Sequence, residues 1–170
     1  AGIILNSTAL GGAGFQAIGA YSCAILSEMF GLPIPILLIL STTVGAAVGF
    51  LIAFPILRTR GVYMVLATVA FAELVAGIIL NSTALGGATG LVLSAYIETG
   101  VIIWCAIGVV VFCFYLMSTR IGLAMRAVHD DEAVADLMGV NRRAVQIGAF
   151  AIGGALAGLS GGLYALYFGF

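Results

Sequence analysis

The sequence contains no lysine, a single histidine and only six arginines against seven acidic residues, so charge is scarce and nearly cancels to a formal −1. Without lysine, a phosphate-binding loop ending in GK[ST] cannot be built, and any work drawn from nucleotide hydrolysis has to come from another polypeptide. Without a basic excess, nothing favours nucleic acid as a partner. His129 lies among acids with no cysteine or second histidine near it in sequence, which argues against a metal site and against histidine-based catalysis. No cofactor, no metal and no catalytic residue is expected. Cysteine is also sparse: Cys23, Cys105 and Cys113 sit in apolar runs. The last two would stand about 12 Å apart along one helix, too far to bridge, so all three read as small apolar side chains. The chain opens at Ala1 with no basic stretch ahead of an apolar one, so no signal peptide is expected and the sequence reads as a piece of a longer polypeptide.

What the chain does have is hydrocarbon. It is 63% hydrophobic and 8% charged over 170 residues, with a mean hydropathy of +1.25, a balance that points to lipid as its solvent. A backbone crossing lipid has to satisfy its own hydrogen bonds, which leaves helices or a closed barrel. The apolar runs are long and continuous, unlike the alternating ten-residue strands of a barrel, so an all-α, polytopic helical bundle is predicted. Five spans are expected, at about Ala13 to Met29, Ile34 to Leu57, Val62 to Leu80, Gly100 to Met117 and Val145 to Phe170.

The arginines fall in two connections only, Arg58 and Arg60 in one and Arg120, Arg126, Arg142 and Arg143 in the other. Alternating spans put both on the same side. The remaining connections have no basic residue, and Glu28 and Glu98 lie at or in them, so the excess of arginine assigns Arg58–Arg60 and Arg120–Arg143 to the cytoplasm. The string AGIILNSTALGGA occurs twice, at Ala1 to Ala13 and at Ala76 to Ala88. It is too short and too perfect for an old structural repeat and begins mid-span in its second copy; a recent duplication or an artefact of sequence assembly is expected, and little weight attaches to the first copy.

The one sizeable polar segment, Ser118 to Ala144, predicts a short cytoplasmic helix between two spans. Asp130 is placed to cap it, Asp131 and Glu132 to favour its positive end, and Gly139 to end it after Met138. Val134, Leu137 and Met138 give it a narrow apolar stripe, and Asn141 can cap the next span. Periodicity alone favours an ordinary interfacial linker.

The residues of this segment, Gly122, Arg126-Ala127, Asp131-Glu132, Ala135 and Gly139-Val140-Asn141, followed by Ala149-Phe150 and Ala155 to Gly158, resemble the loop and following helix of branched-chain amino acid ABC importer permeases. PILRTRGVYMVLATVAFAELV at Pro55 to Val75, LGGATGL at Leu85 to Leu91 and FQAIGAYSCAIL at Phe15 to Leu26 are similar to other stretches of that family, in the expected order and over nearly the whole chain. Of the two permease types in such importers, the LivM type is the nearer. The resemblance implies an inner-membrane permease that works by alternating access with two ATPase subunits, a second permease and an external solute-binding protein. It also implies that Arg126, Asp131, Glu132, Ala135 and Gly139 belong to a coupling helix that docks on the ATPase. Val134 departs from the family, which usually has a second alanine there, and the family's spans before Ala1 and after Phe170 are missing from this sequence. Branched-chain amino acids lead as solutes, with urea and short amides next. An ion-coupled carrier or channel, or a non-functional piece of a membrane protein, are the alternatives from other classes.

Glu73 falls near the middle of the third predicted span, where a charge costs on the order of 2 to 3 kcal/mol. It is expected to face the protein interior, either lining the solute path with Thr68 and Asn81 or bonded between helices. Gly154, Gly158 and Gly162 in the last span, and Gly45 and Gly49 in the second, recur every four residues and predict close helix crossings within the subunit.

Overall fold

The computed structural model describes residues 2–31, 33–58, 62–81, 97–130, 137, 139 and 141–169, all-helical apart from short connections. The helices are α1 (Gly2–Phe30), α2 (Ile34–Ile56), α3 (Val62–Asn81), α4 (Thr99–Ser118), α5 (Arg120–Asp130) and α6 (Arg142–Phe168). Four of the five expected spans agree with α2, α3, α4 and α6 to within a few residues. The first differs: α1 starts at Gly2, not Ala13, so the first copy of the repeat is helical and runs straight into the span. The second copy is helical from Ala76 to Asn81, and its remainder lies outside the described residues.

Local chemistry sets the helix ends. Pro33 and Pro35 suit the first turn of α2, where a missing N–H costs nothing, and Pro55 ends it one residue later, at Ile56. Asn141 caps α6 through its side-chain oxygen, which accepts from the Ala144 amide at 3.2 Å. Gly169 closes α6 in the left-handed conformation, its amide donating to the Ala165 carbonyl at 2.9 Å.

Helix α6 is the centre of the bundle. It packs along α2 and α1; α1 in turn packs on α3 and α2. The buried face of α2 is the row Leu37, Ser41, Gly45, Gly49, Ala53, one residue per turn and mostly small. Lipid offers no hydrophobic drive for two helices to associate, so contact depends on backbones approaching closely enough for dispersion to act along their length. Larger side chains pack where α1, α2 and α6 meet at one end, with Cys23, Ala24, Leu37, Ile97, Ala165 and Leu166 buried together. The Ile97 amide donates to the Leu166 carbonyl at 3.2 Å and ties the approach to α4 onto α6.

Outside that core the surface is apolar. No residue of α4 is buried, and its Trp104, Phe114 and Tyr115 are 75%, 72% and 68% exposed. Such a surface is stable only when lipid or other helices cover it. Among the described residues, Ile34–Ile56, Thr99–Ser118 and Arg143–Phe168 are long and apolar enough to cross a membrane, and Leu66–Asn81 is a shorter apolar helix. The fold is a polytopic helical membrane bundle.

Candidate functional site

The segment between α4 and α6 begins with a corner. Thr119 is extended, and its amide and hydroxyl both donate to the Leu116 carbonyl, at 3.1 and 2.7 Å, which stops α4. The chain then turns at once into α5, whose Leu123 amide donates to the Thr119 carbonyl at 3.1 Å. Gly122 makes this possible: a methyl group on it would collide with the Leu116 carbonyl oxygen and come within 2.7 Å of Met117 Cα. Helix α5 therefore lies against the ends of α4 and α6, with Val128 buried and Arg120 and Arg126 exposed.

Asp130 is the last residue of α5, which begins ten positions earlier because Thr119 breaks the preceding helix; the helix expected to start at Asp130 falls, apart from Leu137, outside the described residues. Asp131, Glu132 and Ala135 lie outside the described residues. Leu137 is helical and 87% exposed, and Gly139 follows in a turn with φ +80°, a conformation glycine adopts without strain.

The second group of residues is on α3. Its inner face meets α1: the Phe71 ring lies 5.1 Å from that of Phe15, Val75 is buried, and a methyl on Gly14 would come within 3.0 Å of Ala72 Cα. Glu73 points the other way and is exposed in this structure. The reason is register: α3 uses Phe71, Ala72 and Val75 to reach α1, which turns Glu73 outward. Thr68 is half-buried and sits roughly 140° around the helix from Glu73, so the two do not share a face. Asn81 is exposed, and its side-chain amide donates to the Gly77 carbonyl at 2.8 Å.

The third group is the glycine seam. Gly45 lies against Gly154 and Gly158, Gly49 against Phe150 and Gly154, and Gly162 against Ser41, whose hydroxyl donates to the Leu38 carbonyl at 3.0 Å. Gly158 also touches Gly19 of α1, so three helices converge on it, and Gly161 packs on Gln16 and Ala20. Sequence reasoning missed Gly19 and Gly161. The available signal was the four-residue spacing of Gly19 and Cys23, and of Gln16, Ala20 and Ala24, which marks two narrow faces on α1. Among the described residues no group of three metal-ligating side chains comes together.

A helical bundle whose two α6-flanking helices meet it through glycine, with a short helix folded across the ends of α4 and α6, is the setting in which a comparison with known proteins decides the family. The profile described as branched-chain amino acid transport system, permease component, matches residues 3–170. The chain belongs to that family. It is 30% identical to the high-affinity branched-chain amino acid transport system permease protein LivM of Escherichia coli (strain K12) and 31% identical to that of Salmonella typhimurium (strain LT2). Each match covers 95% of this chain and 46% of the relative, so the chain spans about half the length of the curated permeases it matches. No solved structure matches it.

Proposed function

We propose that this family member is the permease subunit of an ATP-driven importer for branched-chain amino acids, in the inner membrane of a prokaryote. It moves solute by alternating access. ATP hydrolysis belongs to two partner ATPase subunits, and a second permease and an external solute-binding protein complete the assembly. The observation that carries the reading is the corner at Thr119 and Gly122, which sets a short helix with exposed arginines across the ends of two long ones. A lever of this kind can pass a rigid-body movement from a docked partner into the spans. The arginine pattern supports a cytoplasmic location for it, since all six arginines lie in or beside two connections on one side.

In this reading Arg126, Asp131, Glu132, Ala135 and Gly139 form the surface that the ATPase grips. The chain has no lysine with which to hold nucleotide phosphates itself. The test is co-purification with the ATPase subunits of the importer. Combined Arg126→Glu and Glu132→Arg substitution is expected to abolish association while membrane insertion persists, and unchanged association would count decisively against the coupling role.

A further inference from the structure

Glu73 stands eleven residues after the start of α3 and eight before its end, so its carboxylate is about 12 to 16 Å from either terminus of the helix. It is exposed on the face opposite α1. A carboxylate at that depth needs a cation or water beside it. The described spans supply no such cation: the sequence lacks lysine, its arginines are at 58, 60, 120, 126, 142 and 143, outside the middle of every span, and its one histidine is in α5. No group among these residues neutralises Glu73, so its carboxylate is open to a cation carried by another molecule.

The surroundings of Glu73 say what kind of group can come. Glu73, Gly77 and Asn81 follow one another at four-residue spacing and form a line from the middle of α3 to its end. Asn81 is exposed, Gly77 is half-buried with nothing within 4 Å of where a side chain would start, and Ala70 one turn before Glu73 is exposed and small. The helix surface beside the carboxylate is therefore small, and polar at its far end, on a face that is exposed in the described structure. A branched-chain amino acid brings the missing charge as its ammonium group. Resting on the transport reading above, we infer that Glu73 pairs with the solute ammonium midway across the membrane, and that the Gly77–Asn81 line is its approach from the side of the solute-binding protein.

Two measurements on the assembled importer in proteoliposomes test this. With saturating binding protein and ATP, Glu73→Gln is expected to lower the uptake rate of branched-chain amino acid at least tenfold while co-purification with the partner subunits is unchanged, and Glu73→Asp to restore part of it. In protein whose three cysteines are replaced by alanine or serine, the thiol introduced by Gly77→Cys is expected to react at least tenfold faster with a cationic than with an anionic methanethiosulfonate. Glu73→Gln should erase that preference, and added amino acid should slow the reaction. Unaltered uptake in Glu73→Gln, or a Gly77→Cys thiol closed to both reagents, overturns the inference and leaves the transport reading standing. Absence of ATP-driven uptake by the unmodified protein overturns the transport reading, and this pairing with it.

Discussion

Gly158 is a point where an added methyl group meets the backbone of a neighbouring helix. Its missing side chain lets the Ser41 carbonyl and Gly45 of α2 approach, and the missing side chain of Gly19 lets α1 reach the Gly158 backbone from the other side. Gly158→Val forces at least two helices apart, and overpacking of this kind costs about 1–3 kcal/mol or more. The expected outcome is a lower melting temperature and a smaller monodisperse fraction in detergent. Gly153 is on the same helix but exposed, with nothing within 4 Å of its Cβ position, so Gly153→Ala is expected to leave the melting temperature unchanged or raise it slightly. Both glycine rows of the α2–α6 seam were legible in sequence because regular four-residue spacing is a direct image of one helix face. Gly19 was not, since α1 presents a single glycine there and its partners lie far along the chain. The orientation of Glu73 was illegible for a different reason: depth follows from hydropathy, but rotation of a helix about its axis follows from which neighbour it packs against, here α1 through Phe71 and Val75.

The span boundaries were the most legible feature, because prolines, glycines and charges punctuate the apolar runs: Pro33 and Pro35 open α2, Pro55 closes it, and Asn141 caps α6. Asn141→Ala removes the acceptor of the Ala144 amide and is expected to destabilise the start of α6 by about 1 kcal/mol, measurable as faster amide exchange over its first turn. The corner between α4 and α5 was harder to read. No proline or acid marks it: the break is made by Thr119 bonding back to Leu116 and by Gly122 folding onto Leu116 and Met117. Gly122→Val is therefore expected to displace α5 without unfolding the spans: proteolysis between Thr119 and Asn141 should quicken, and co-purification with the ATPase should fall, while the melting of the membrane helices changes little.

The molecule as a whole is a bundle with little buried apolar volume and a large apolar surface, which is the reverse of a soluble domain and follows from having lipid as solvent. Within it, α6 holds α1 and α2 rigidly through close backbone contact, while α4 touches the rest sparingly and α5 bridges the two. A push on α5 is thus transmitted to both α4 and the central helix, which is what coupling to an external motor requires. The account rests on that helix lying in the cytosol within reach of the ATPase. The direct measurement is labelling of Arg126→Cys, with Cys23, Cys105 and Cys113 replaced, by a maleimide that cannot cross the bilayer. Labelling is expected in inside-out vesicles stripped of ATPase, absent in intact spheroplasts, and blocked when the ATPase is added back. Labelling from outside the spheroplast, or labelling in vesicles that the ATPase leaves untouched, would contradict it.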